Sequence, residues 1–304
     1  MLDERLREAF HALGSCAPSG TPVSAVAVLL DTDESEAQDL ALALGALSLA
    51  DYDGTRVELH PLLHEYARMR LHSLPEQEQH VFVRHVAYFG QSIGGAYQSA
   101  VNEGHGADAY DALNVFDRER DNVELAQVRV LAAGFPDPQL AVEVTDDLTR
   151  VWRLRNEPRL LAWLTHALAL ATTTKLIYRQ AKVRQAIGDV QSFRDDKDAA
   201  LTSYAEALRL FTEGGAKLGQ ANVLLAQGRL LNDTSLLEHA LALYETIRDG
   251  YSIARCKLFL GVLCLQQGDG ERGVQLLLDA RALWEQIDFT PGIEAIEGIL
   301  RQRS

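Results

Sequence analysis

Gly188-Asp189-Val190-Gln191-Ser192-Phe193-Arg194-Asp195-Asp196-Lys197-Asp198-Ala199-Ala200-Leu201-Thr202-Ser203-Tyr204 is the stretch that decides the fold. A glycine stands twelve residues before an alanine, and that alanine stands four before a tyrosine. The same gaps recur from Gly228 to Ala240 to Tyr244 and from Gly261 to Gly273 to Leu277. A helical hairpin accounts for them. The small residue on the first helix lets the second helix come close. The residue twelve on is the small contact of that second helix, and one turn later an aromatic or a leucine fills the groove. Leu148, Leu160, Leu164 and Ala167 hold the same register forty residues before Gly188, Ala200, Tyr204 and Ala207, without the glycine. The glycines then step by forty and by thirty-three residues. About four hairpins follow from this, more than the three that bury a continuous core. The expected architecture is an α-solenoid, and such stacks present a concave binding face.

Working outward, the first seventy residues hold the strand signals. Ser48–Tyr52, Asp53-Gly54 and Thr55–Leu59 form a hairpin pattern, with Val57 and Leu59 alternating with Arg56 and Glu58 around an Asp-Gly turn signal. Helical segments precede it over Leu2–Leu13, Val23–Leu30 and Glu34–Leu47. Thr21-Pro22 has the form of a cap followed by proline in the first turn, and Asp31 and Asp33 are cap candidates for the third helix. Pro61 opens a further helix over Leu62–Leu71. Three helices, a hairpin and a helix make the plan of a winged helix. From Glu76 to Gly134 helical patterns return over His80–Ile93 and Ala107–Ala133, with Gly94-Gly95 and Gly104-His105-Gly106 as interruptions. The predicted fold is therefore mainly α: a winged helix with one β-hairpin over 1–72, a helical linker domain over 73–136, and a right-handed solenoid over 137–304.

The 304 residues carry a formal charge of −14. Such a chain repels nucleic acid and anionic membrane. It has no apolar run of membrane-spanning length, and its opening Met1–Phe10 is charged and amphipathic, unlike a secretory signal. Cys256 and Cys264 are eight apart, about 12 Å along one helix, too far for a disulfide. All three cysteines, Cys16 included, are expected to be reduced and structural in a cytoplasmic protein.

Several stretches together resemble one family. The repeats resemble tetratricopeptide repeats of the longer, roughly forty-residue kind found in bacterial regulators. Phe10–Leu71, with Glu8–Ser15 and Leu42–Leu71 as its marks, is similar to the winged helix that follows the nucleotide-binding domain in STAND-class, NB-ARC-like signalling ATPases. Phe116–Gln127 resembles the acidic helix that comes next, and Val151–Leu170 the first hairpin after it. The resemblance covers almost the whole chain in the right order. It implies a sensor and interaction role, with ADP or ATP bound by a nucleotide-binding domain of a parent protein. No Gly-x-x-x-x-Gly-Lys-Ser/Thr loop occurs in this sequence, so no cofactor is expected here, and the chain looks like the C-terminal part of something larger. A stand-alone tetratricopeptide adaptor or transcriptional regulator is the alternative, and an enzyme stands third.

By the resemblance, His60 at the strand-to-helix junction contacts a nucleotide phosphate when that domain is present. In this chain alone it is expected to cap the following helix. His60 and His64 lack a third ligand and are not read as a metal site. His80 and His85, five apart, are expected on the surface. No catalytic constellation stands out among the Ser, Asp and Glu residues. The groove-facing positions by repeat register are Trp152, Arg153, Lys182, Gln185, Asp189, Asn222, Arg229 and Arg255. A polar groove with several basic residues on an acidic chain suits a protein or peptide partner, or an anionic effector. Trp152 has the alternative of packing inside.

Residues 1–72 hold five basic residues against twelve acidic, and the helix that would enter a major groove, Glu34–Leu47, has no Lys or Arg. The expected outcome is no duplex-DNA binding at physiological salt. A gel shift that persists there and weakens steeply with added salt would overturn it.

Overall fold

The computed structural model describes residues 3–103 and 106–301. Their packing groups the chain into two units, Met1–Gln98 with Tyr110–Val151, and Ser99–Ala109 with Trp152–Ser304. The expected boundaries at 72 and 136 both fall inside the first unit. The chain is mainly helical, with one small sheet.

In the first unit, α1 (Glu4–Leu13) starts at Asp3, whose carboxylate accepts from the Leu6 N–H at 2.7 Å. α2 (Val23–Leu30) and α3 (Glu34–Ala46) follow, and Asp33 caps α3 through the Glu36 N–H at 2.9 Å. Asp31 instead ends α2 in the left-handed conformation, φ 57°.

The hairpin forms as β2 (Ala50–Tyr52) and β3 (Arg56–Leu59), with Ala50 opposite Leu59 and Tyr52 opposite Val57. Asp53 organises its turn: one carboxylate oxygen accepts from the Thr55 N–H, the Thr55 hydroxyl and the Arg56 N–H, each at 2.8 Å. Those bonds hold its pKa below the usual value. Gly54 sits at φ 97°, so the loop centres on Gly54-Thr55, one residue later than the Asp-Gly pair suggests.

Thr21-Pro22 corrects an expectation. It is a strand, β1, paired with β3, and the sheet order is β1-β3-β2. Proline biases the residue before it towards extended backbone and is tolerated on an edge strand, where it has no ladder bond to donate. α2 starts at Val23, as expected, but Pro22 stands at its N-cap and no side chain caps it. α4 (Pro61–His72) has Pro61 in its first turn. His60 occupies the N-cap position, but its exposed imidazole makes no cap bond, contrary to the expected capping role.

α5 (Pro75–His85) runs through a π-helical segment, Val86–Ser92, into α6 (Ile93–Glu103). α7 (Gly106–Arg118) and α8 (Arg120–Val130) divide the expected 107–133 helix. Gly94-Gly95 does not interrupt: both residues lie inside α6, while Gly104-His105 lies outside the described residues. The glycines here serve close approach to α9 (Pro138–Leu154). A methyl group on Gly90 would lie 2.6 Å from a Val144 methyl, and one on Gly94 3.0 Å from Leu148 Cδ2. His85, expected on the surface, is fully buried with its ring 4.7 Å from that of Phe89. Burial, then the Arg129 charge, holds its pKa well below the usual histidine range.

Polar clasps tie α8 and the residue before it to the segment that holds α1–α3 and the sheet. Arg56 forms an ion pair with the buried Glu119, one arm at 3.2 Å, and its Nη2 also donates to the Gly20 carbonyl at 2.7 Å. Asn122, fully buried, accepts from the Ala17 N–H at 2.7 Å. Arg129 donates to the Ser15 carbonyl and lies 4.0 Å over the Phe82 ring.

The second unit stacks α10 (Leu160–Thr173), α11 (Ile177–Phe193), α12 (Lys197–Glu213), α13 (Lys217–Leu231), α14 (Thr234–Ile247), α15 (Gly250–Gln266), α16 (Gly270–Glu285) and a closing α17 (Thr290–Arg301). α11 packs on α12, α13 on α14 and α15 on α16 as hairpins. The recurrent residues lie where the spacing puts them: Ala200, Ala240, Tyr244 and Leu277 are wholly buried, and Tyr204 nearly so. A methyl group on Gly188 would meet the Tyr204 ring at 2.6 Å, and one on Gly273 would lie 2.9 Å from the Gly261 carbonyl oxygen. Gly228 departs from the pattern, because Leu237 covers it at 2.8 Å rather than Tyr244. Asp196, Asp233, Asp249 and Asp269 cap α12, α14, α15 and α16, each accepting from a first-turn N–H. Part of the acidity of the sequence is thus spent on starting helices.

Gly188→Leu is expected to cost about 3 kcal/mol of stability by overpacking. Arg56→Ala should cost about 2 kcal/mol, by leaving the buried Glu119 with only its longer 3.5 Å ion pair to Arg118. Exposed Arg209→Ala should stay within about 0.5 kcal/mol. Thermal and urea melts of the three variants check this.

Candidate ligand-binding groove

The first helices of successive hairpins carry the polar positions singled out by register, and five of them converge. Tyr204 on α12 donates its hydroxyl to Asp189 on α11 at 2.8 Å. Arg229 on α13 lies 4.1 Å over the ring of Phe259 on α15. On α15, Arg255 Nη2 donates to Asn222 Oδ1 on α13 at 3.3 Å and to the Tyr244 hydroxyl at 3.4 Å. The Tyr244 hydroxyl donates to the same Asn222 oxygen at 2.7 Å. The Arg255 guanidinium also lies 5.7 Å over Tyr251, and its Nε is buried with no partner among the described residues.

The electrostatics join these into one cluster. Burial, then the Arg255 charge, lowers the pKa of Arg229, with Arg153 adding to the effect and Asp189 opposing it. Burial and the Asp189 carboxylate raise Tyr204, and Arg153 opposes them. Tyr244 is pushed up to about 12, chiefly by burial. Arg153, Arg229 and Arg255 thus share a neighbourhood in which Asp189 is the carboxylate that acts on Arg229. Asp189 already receives the Tyr204 proton. Arginine forks pair bidentately with carboxylate and phosphate, so the chemistry on offer is anion recognition.

The remaining sequence-predicted positions fall differently. Trp152 is fully buried, its ring 5.5 Å from Trp163 in an edge-on contact, so it is core and offers no face to a partner. An indole this large is favoured inside wherever the packing closes over it. Lys182 and Gln185 are half-buried on α11, two turns and one turn before Asp189. His60 stands in the first unit, away from these residues in sequence and in unit. Sequence reasoning missed the two tyrosine hydroxyls and the Tyr251 and Phe259 rings. Tyr204 and Tyr244 were legible only as groove fillers, yet a buried tyrosine needs a hydroxyl partner where phenylalanine would not, and that was the available signal.

A cavity of about 710 Å³ lies in the first unit, lined among others by Cys16, His64, Arg68, His72, Phe82 and Arg129. Its charged lining is largely engaged: Arg68 with Glu65 at 2.6 Å, His72 with Glu78 at 3.1 Å, and His64 Nε2 with the Cys16 carbonyl at 2.9 Å. The groove, with its surplus of guanidinium, is the stronger candidate.

No family model matches the sequence. No curated protein matches it. Among solved structures, the chain is similar to BtubC (BKLC) from P. vanneervenii, with a TM-score of 0.50 and 17% identity over 68% of this chain and 92% of that one. It also aligns with PH0952 from Pyrococcus horikoshii, a Signal Transduction ATPase with Numerous Domains (STAND) protein with a tetratricopeptide repeat sensor, at a TM-score of 0.48 and 14% identity. That alignment takes in 97% of this chain and 53% of the other, so this chain spans about half the length of PH0952. At these identities the likeness concerns the fold.

The tyrosines give the groove a testable alkaline signature. Tyr244 titrates near 10 when unfolded and at about 12 when folded, so its ionisation favours unfolding. Stability should be full below pH 10 and fall as pH rises through about 12. Tyr204→Phe with Tyr244→Phe should flatten that loss in denaturant titrations across the range.

Proposed function

We propose that this chain is the non-catalytic sensor and scaffold part of a STAND-type signalling protein working in the cytoplasm. Its repeat unit takes an anionic partner, an acidic protein segment or a small anionic effector, against Arg153, Arg229 and Arg255. Its first unit docks on a nucleotide-binding module, which holds the ADP or ATP, and His60 reaches the nucleotide phosphate there. Asp189, Asn222, Tyr204 and Tyr244 hold the arginines in place, while Lys182 and Gln185 extend the polar surface along α11.

The observation that carries the reading is the sign of the groove. A chain of net charge −14 places three guanidiniums within electrostatic reach of one another. Mutual repulsion among them is only partly offset by Asp189, and a bound anion relieves it further. The absence of lysine-rich helices and the stacking of Arg229 and Arg255 on aromatic rings favour a planar anion over a nucleic-acid backbone.

Titration calorimetry with a short oligoglutamate peptide tests this. The unmodified chain should bind it, and Arg153→Glu with Arg229→Glu should weaken binding at least about tenfold while the melting temperature holds. Equal binding by both proteins would remove the groove from recognition.

A further inference from the structure

α4 carries a second feature that the groove does not use. Leu62, Tyr66 and Met69 fall at i, i+4 and i+7, one stripe along the helix, and they are 77%, 53% and 62% exposed. A surface helix normally turns such residues inward, and here the inward face is filled instead by Ala67 and Leu71, both buried. α4 lies against α1 closely enough that a methyl group on Gly14 would sit 2.4 Å from the Arg68 backbone nitrogen. At that seam Tyr66 faces Phe10, ring centroids 6.2 Å apart. Arg70 follows Tyr66 by one turn on α4, and Arg7 precedes Phe10 by about one turn on α1, so each lies at the margin of the Tyr66–Phe10 seam. Neither Arg7 nor Arg70 has a carboxylate partner among the described residues, and both are exposed. On the other side Glu65 is already neutralised by Arg68 at 2.6 Å.

We infer that the Leu62–Tyr66–Met69 face of α4, with Arg7 and Arg70 at its edge, is a docking surface for an amphipathic helix of a partner protein that bears carboxylates beside its apolar anchors. The apolar stripe supplies the burial and the two unpaired guanidiniums supply orientation and selection by charge. A stripe at i, i+4 and i+7 matches the face of a single helix, and an anionic membrane is kept as an outcome of the test. The inference rests on the docking role proposed for the first unit and gives that role a face and a partner chemistry.

The test uses the full chain and two labelled synthetic helices of about 20 residues, long enough to be helical. They share leucines at i, i+4 and i+7 and differ in carrying glutamate or lysine along the edge. Fluorescence anisotropy should show the glutamate helix binding at least tenfold more tightly. Arg7→Glu with Arg70→Glu should reverse that preference, and Leu62→Ser with Met69→Ser should weaken both helices without lowering the melting temperature. Equal affinity for the two helices, binding by neither, or a preference unmoved by the charge swap would overturn the proposal. So would phosphatidylserine vesicles that bind through these four residues while the glutamate helix does not. A phosphate-loop module that still docks on both variants would overturn this face and leave the docking role standing.

Discussion

Close approach between helices at small side chains is the constraint on which the repeat unit depends. Tyr204 can lie across α11 only because position 188 has no side chain, and Gly273 and Gly261 bring α16 and α15 almost to backbone contact. With the helices that near, the larger residues one turn away pack between them, and the buried cluster around Tyr244, Leu260 and Leu263 becomes continuous from one hairpin to the next. The groove is a by-product of this geometry. The same tyrosines that fill the gaps between helices turn their hydroxyls to the polar side, where they fix Asp189 and Asn222 and, through Asn222, Arg255. Packing and the polar cluster are therefore built by the same residues.

The repeat register was legible because it repeats. A spacing met three times averages out local accidents, and Ala200, Ala240 and Leu277 are buried as it requires. The wing was legible from alternation and from Asp53-Gly54. What failed were signals that depend on a distant partner. Thr21-Pro22 looks like a helix start until β3 offers it a strand to pair with. Gly94-Gly95 looks like a break until α9 is seen to need the room at Gly94. His85 has the composition of a surface residue, and only the tertiary fold closes over it. Trp152 was placed by register alone, and register gives a helix face without saying how deep that face lies. In the groove, the five positions that converge were found by counting along first helices, whereas their supporting hydroxyls and rings belong to other elements and carry no mark in sequence.

Acidity shows how a bulk property can mislead about a site. Asp3, Asp33, Asp196, Asp233, Asp249 and Asp269 each accept a hydrogen bond from the first turn of a helix. Their charge complements the helix dipole where it stands and contributes little to the groove. The net charge of the chain is negative, yet Arg153 and Arg255 both act on Arg229 within the repeats.

The clasps of the first unit have a consequence for how the chain reaches its fold. They join residues far apart in sequence: 63 positions between Arg56 and Glu119, 105 between Ala17 and Asn122, 114 between Ser15 and Arg129. The side-chain bonds within the repeats span far less, 15 positions for Tyr204 with Asp189 and 33 for Arg255 with Asn222. Non-local closure is slow because chain entropy is lost before the contacts repay it, whereas local hairpins form quickly. Residues 15–56 leave the ribosome before α8 and have to wait for it before their loops can close, so this part completes late. The wing and its neighbours are held open during that interval, and it is there, more than in the repeats, that translation rate and chaperone access govern the yield of native protein.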